Sequence, residues 1–210
     1  MTGQARGART AQRVLDATLR LASEAPGRVP TIAQISARSK VSVGSIYHRF
    51  GSQRRLTLAL YQRCLDRMLA SITEAVVRET QAERGVRALV RTYLAFVQAH
   101  PMEARFIFAA GHTALVDEFR AELVEHAARA VSGLAAWVSS RVEEGELAAL
   151  PERVYEVVLM GTAAEAARRI LTGDAGLATR QAREILAERV WRSVAPELKQ
   201  RRRRARRRSR

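Results

Sequence analysis

Ser42, Ser45, Tyr47, His48 and Arg49 fall within the stretch VSVGSIYHRFGSQ, residues 41–53, interleaved with apolar Val41, Ile46 and Phe50. Hydroxyl, phenol, imidazole and guanidinium groups at this spacing can donate and accept hydrogen bonds. They lack the carboxylate that would complete a hydrolytic or proton-transfer site, because Asp16 and Glu24 are the only acids of residues 1–60. The histidines at 48, 100, 112 and 126 have no metal-ligand spacing, and the single cysteine, Cys64, cannot form a thiolate cluster. Walker and dinucleotide-type glycine loops are missing. The sequence therefore predicts no catalytic residue, no metal and no cofactor. What remains is contact chemistry.

To aim these groups outward, the segment must be a short helix anchored on one side. Ile46 and Phe50, four residues apart, share a face, and Ser42 is suited to cap a helix beginning at 43. Val43, Gly44, Ser45, Tyr47 and His48 then face away from the anchor. Gly44 lets the helix start approach a surface closely, and the N–H groups there can meet a phosphate oxygen. Ser45 and His48 can reach base edges, Val43 a thymine methyl and Tyr47 a phosphate. A preceding helix over 32–38, capped by Thr31 and turning Ile32, Ile35 and Ser36 inward, completes a helix-turn-helix around 39–42. Thr31, Lys40, Ser42, Arg49, Gln53 and Arg54 fill out the predicted DNA contact surface.

Charge is placed in support of that reading. Residues 1–60 carry +8, residues 61–198 carry −2 and residues 199–210 carry +9, so a basic head and tail flank a nearly neutral body. A polyanion partner explains the head; biased codon usage is the rival explanation, since 34 of the 36 basic residues are arginine. Arg6, Arg9 and Arg13 form either a basic arm reaching the minor groove or backbone or a solvated, disordered end.

The remaining apolar spacing is helical nearly throughout. A first helix is expected over about 9–25, with Val14, Thr18, Leu21 and Ala25 on one face. Ser52 caps a long fourth helix to about 78, striped by Leu56, Leu60, Cys64 or Leu65, Met68, Ile72 and Val76. Five more helices follow at about 83–99, 102–110, 115–145, 151–172 and 178–194, broken at Pro101, Gly111, EEGELAALP and LTGDAG. The fold class is all-α, about nine helices: a helix-turn-helix DNA-binding head over 1–55, a helical body over 56–195, and a disordered basic tail over 196–210.

TIAQISARSKVSVGSIYHRFGSQRRLTLAL resembles the DNA-binding head of the TetR/AcrR family of one-component regulators. The likeness rests on Val41-Ser42-x-Gly44-x-Ile46-Tyr47-x-x-Phe50 followed by a serine-capped long helix. It implies a homodimer of nine-helix subunits that binds a palindromic double-stranded DNA operator and is released by a small-molecule effector. Two positions depart from the family. A turn residue commonly glycine is Lys40, which in a left-handed conformation would cost on the order of 1 kcal/mol. The basic residue opening the fourth helix is replaced by Gln53, leaving Arg54 or Arg55 to supply charge.

The resemblance also implies roles in the body. Val157, Gly161, Ala164, Arg168, Ile185 and Val190 are the candidate dimer interface, on two helices that pair with their twins; the small residues from Gly161 to Ala167 permit close approach. Tyr93, Phe96, His100, Met102, Phe106, His112, Trp137, Tyr155 and Met160 are candidate effector-pocket residues and favour a mainly apolar effector. Intramolecular core is the alternative for both sets. The tail KQRRRRARRRSR reads as unfolded by self-repulsion, adding either salt-sensitive DNA attraction or nothing. A visible signal peptide and a membrane-length apolar run are both missing, so the expectation is a soluble, cytoplasmic, non-enzymatic regulator with no membrane partner. Two other readings remain: a helical ligand-binding or enzymatic protein without sequence-specific DNA binding, and a nonspecific nucleoid-type binder driven by the tail.

Overall fold

A computed structural model describes residues 3–110 and 114–196, and every regular element among them is an α-helix. His112, one of the candidate pocket residues, and positions 197–210 of the basic tail lie outside the described residues. The helices are α1 (Gly3–Glu24), α2 (Ile32–Ser39), α3 (Val43–Phe50), α4 (Gln53–Val77), α5 (Ala82–Ala99), α6 (Pro101–Ala110), α7 (Ala114–Glu118), α8 (Arg120–Ala130), α9 (Ser132–Glu143), α10 (Glu152–Leu171) and α11 (Arg180–Val194). They sort into two compact units, one of residues up to Arg67 with His100–His126, the other of Met68–Ala99 with Ala127 onward.

In the first unit, α1 buries Val14, Leu15, Ala17 and Leu19 and packs on α2 and α6. Thr18 is buried with them, and its hydroxyl is paired, donating to the Val14 carbonyl at 2.8 Å. The helix starts at Gly3, well before position 9, which places Arg6, Arg9 and Arg13 in helical turns. The alanine-, glutamine- and arginine-rich run has the propensity to extend that far despite Gly7. The α4 stripe is buried at Leu56, Leu60 and Cys64 in this unit, and at Met68, Ile72 and Val76 in the second; Ser52 accepts from Arg55 N–H at 3.1 Å at the helix start. Cys64 lies in the core and Leu65 only half so; burial pushes the thiol up to about 11.

In the second unit, α5 packs against α10 and α11 and buries nine residues, Ala82, Gly85, Val86, Leu89, Val90, Tyr93, Leu94, Phe96 and Val97. Gly85 is required there: a Cβ would overlap the Trp137 ring. The indole N–H of Trp137 donates to the Glu79 carbonyl at 2.9 Å. The single helix expected over 115–145 is instead three, divided at Phe119 and Val131. Hydrogen bonds of helical span still cross both points, from Leu123 N–H to Phe119 and from Val131 N–H to Ala127. Neither glycine nor proline marks these divisions. Among the described residues, no helix is long and apolar enough to cross a membrane.

Candidate nucleic-acid interface

Thr31 begins α2 with a capping box: its hydroxyl accepts from Gln34 N–H at 3.3 Å, while the Gln34 side chain accepts from Thr31 N–H at 2.9 Å. The helix ends at Lys40, whose φ of 54° and ψ of 37° are left-handed. Lysine there costs on the order of 1 kcal/mol relative to an unstrained residue. Ser42 then caps α3, accepting from Ser45 N–H at 3.2 Å.

The eight-residue α3 is anchored by Ile46, 1% exposed, with Phe50 half-buried. Val43, Gly44, Ser45, Tyr47, His48 and Arg49 are exposed, Tyr47 to 47%. The rows 43–47, 44–48 and 45–49 lie side by side on the outer surface, as four-residue spacing requires. Ser45 and Ser42 share a hydroxyl contact of 2.8 Å, which fixes the Ser45 side chain at the start of that surface. Arg6, Gly7 and Thr10 of α1 line an open cleft of about 450 Å³ with Gly44, Ser45, His48 and Arg49. The α1 extension thus brings Arg6 beside the outward face of α3, and a helix start with basic neighbours is a ready anion surface.

Besides Ser42 and Ser45, the predicted contact residues Thr31, Gln53 and Arg54 carry internal ties. The Thr31 hydroxyl belongs to the capping box. The Gln53 amide donates to the Pro30 carbonyl at 2.9 Å, holding the start of α4 to the segment before α2. Arg54 pairs with Glu118 at 2.8 Å; its neighbour Arg55 pairs with Glu122 at 2.7 Å and lies over the Phe119 ring, 4.6 Å from its centroid. Lys40 and Arg49, in contrast, have no acidic partner among the described residues. One further residue bears on this surface through partners that the sequence does not signal. Arg13 of α1 donates to the carbonyls of Ser39 and Lys40, at 2.6 and 3.4 Å, and backbone acceptors leave no mark in a sequence.

The candidate pocket residues divide between the two units. Tyr93, Phe96, Trp137 and Tyr155 are buried in the second, with Met160 half-buried. The Tyr155 hydroxyl donates to the Ala148 carbonyl, and burial raises its pKa. His100 and Phe106 are half-buried in the first unit, where Met102 is exposed and its sulfur accepts from the Ser23 hydroxyl. Of the candidate dimer residues, Val157 is 70% and Ile185 53% exposed, Gly161 and Arg168 are exposed, and Ala164 is half-buried. Arg168 pairs with Glu165 at 2.7 Å. Val190 departs from its predicted place: at 2% exposure it lies inside its own unit, on the α11 face that also turns Ala187, Trp191 and Val194 inward. No group of three or more metal-ligating side chains occurs among the described residues.

The family model of bacterial regulatory proteins of the tetR family matches residues 14–60, the span from the buried face of α1 to the first turns of α4. Residues 14–60 form a tetR-family head. Solved TetR-family structures share its fold. A TetR family transcription regulator from Marinobacter aquaeolei VT8 is 18% identical, covers 92% of this chain and 100% of its own, and superposes with a TM-score of 0.74. The fatty acid degradation regulator FadR from Bacillus halodurans is 17% identical, over 86% and 94% of the two chains, with a TM-score of 0.73. FadR from Bacillus subtilis in complex with stearoyl-CoA is 15% identical, over 85% and 96%, with a TM-score of 0.68. No curated protein matches by sequence. At these identities the structural likeness establishes the TetR-type fold, and the helix-turn-helix match establishes the kind of head it carries.

Proposed function

We propose that this chain is a ligand-responsive repressor that reads a palindromic operator as a homodimer. The carrying observation is α3, a short capped helix fixed by Ile46 while Val43, Gly44, Ser45, Tyr47, His48 and Arg49 stay open. Ser45 and His48 are the base-reading groups, Val43 packs on a thymine methyl, and Tyr47, Lys40 and Arg49 hold phosphates. Thr31 commits both its N–H and its hydroxyl to the capping box, and Gln53 its side-chain amide to Pro30, so alternate rotamers are the means of any side-chain contact from either.

Two such heads must stand about 34 Å apart to meet successive major grooves on one duplex face. Val154, Val157, Gly161, Ala164 and Arg168 recur every three or four residues along α10, and the exposed ones among them, with Ile185 of α11, support pairing with a second copy. An effector that binds more tightly to a dimer with misplaced heads lowers operator affinity by that differential affinity. The predominantly apolar pocket candidates support an apolar effector; stearoyl-CoA, the ligand of the Bacillus subtilis neighbour, is the first compound to test.

Selection of bound duplexes from a random DNA pool, followed by footprinting, tests this reading. The expected result is an inverted repeat protected in the presence of competitor DNA, with the preference retained when residues 199–210 are removed. Binding without sequence preference would overturn it.

A further inference from the structure

The turn between α2 and α3 presents three successive carbonyls, and a side chain donates to each. Arg13 donates to Ser39 at 2.6 Å and to Lys40 at 3.4 Å, and the Ser36 hydroxyl donates to Val41 at 2.7 Å. These carbonyls follow the end of α2, where the helix dipole concentrates negative charge and where a guanidinium is favoured. The same turn contains Lys40, the only residue other than glycine with positive φ among the described residues. Glycine would enter that conformation without the clash of a Cβ; lysine needs the surroundings to hold it there. The next residues, Val41 and Ser42, are a buried contact and the cap of α3, so the path of this turn sets the direction in which α3 leaves.

We infer that Arg13 is a positioning residue for DNA reading: its planar guanidinium clasps the Ser39 and Lys40 carbonyls, holds the left-handed turn, and so aims α3, without itself touching a nucleotide. Both bonds come from the one Nη2 nitrogen, and arginine suits the role because its N–H groups are held in the guanidinium plane, whereas a lysine ammonium rotates on a flexible stem. The clasp also leaves the Lys40 side chain exposed at the edge of the reading surface. This inference rests on the proposed DNA reading only for its consequence; the clasp itself can be tested in the free protein.

The test uses the full chain and the variants R13A, R13K, K40G and R13A/K40G, with operator and competitor duplexes titrated over a range of salt. Removing a charged double donor is expected to lower operator affinity about ten-fold, leaving competitor affinity and the salt slope unchanged. R13K, which keeps the charge and loses the planar placement of the donors, should fall between wild type and R13A. In the K40G background, where the turn no longer needs holding, R13A should cost only about two-fold. An equal loss in both backgrounds, with a salt slope smaller by about one, would make Arg13 a phosphate contact and overturn the inference. Amide exchange of the free protein gives the DNA-independent arm. R13A should speed exchange at the Ser45 and Ile46 amides, which bond to Ser42, and leave the amides of Leu56 and Leu60 in α4 protected. Unchanged exchange at Ser45 and Ile46 overturns the clasp, whereas a wild-type protein without sequence preference overturns the DNA reading alone.

Discussion

The outward face of α3 and the seam between α5 and α11 use charge in opposite ways. Along the seam, Arg87 pairs with Glu83 and Glu188, Arg91 with Glu184, and Arg192 with Glu188, so positive groups are matched by acids a few ångströms away. On and beside α3, Lys40 and Arg49 have no such match among the described residues, and the nearest carboxylates in sequence are Glu24 and Asp66. Matched charge over a buried apolar seam joins helices of one chain. Unmatched charge beside a capped, single-anchor helix leaves its neutralisation to a polyanion from outside, which is why the same side chain type reads as structure in one place and as recognition in the other. Predictions that separate these uses follow from the burial of each residue.

The largest effect belongs to the anchor of the reading helix. Ile46→Ala removes a side chain that is 1% exposed and should cost about 2–5 kcal/mol of head stability. Denaturant unfolding should shift to lower midpoint, and operator binding should disappear with it. Retention of both would mean that α3 is not held from its inner side. Gly85→Ala provides the counterpart in the other unit. The added methyl overlaps the Trp137 ring, and overpacking of this kind costs about 1–3 kcal/mol. Thermal unfolding should report that loss, while operator affinity measured well below the transition stays at the wild-type level.

Tyr47→Ala sharpens the contrast because it removes exposed surface only. Stability should change by less than about 0.5 kcal/mol, while loss of a hydrogen bond to a charged phosphate should weaken operator binding about ten-fold. Fluorescence anisotropy on an operator duplex, with a melting curve of the same preparation, checks both. Equal affinity of variant and wild type would remove Tyr47 from the contact surface.

Much of this arrangement was legible because a helix repeats every 3.6 residues and a serine cap marks where it begins. Ile46 inward with Tyr47 and His48 outward follows from those two facts, as does the α4 stripe. Cys64 and Leu65 could not be ranked, since adjacent residues at a stripe's edge differ only by where the neighbouring helix lies. Val190 was misplaced for a related reason: α11 has apolar residues on more than one side, and only the position of α5 decides which side is covered. The division of 115–145 at Phe119 and Val131 lacks the glycine or proline that would announce it. Arg13 was visible as a charge, but its partners are carbonyls, which every residue possesses. The pairing of Arg54 and Arg55 with Glu118 and Glu122 joins positions more than sixty residues apart, beyond any local pattern.

The smallest expected effect lies in the matched seam and tests whether its charges act structurally. The Glu184 carboxyl accepts from Arg91, Nε meeting both oxygens at 3.0 Å, and this bonding lowers its pKa below the ordinary value of 4.5. A carboxyl whose folded pKa is depressed adds stability above its unfolded pKa, and that contribution drains away as pH falls through the folded value. Wild type should therefore exceed Glu184→Gln in stability at neutral pH and converge on it in acid below the usual carboxylate range. Both partners are more than a third exposed, so the neutral-pH difference should stay under about 1 kcal/mol and shrink further in high salt. Operator affinity should be indifferent to the substitution at every pH where the chain is folded. A difference between the two proteins that persisted or grew in acid would assign the Glu184 effect to packing. A change in DNA binding would show that the charges of this seam are not purely structural, and the contrast with α3 would fail at its quieter end.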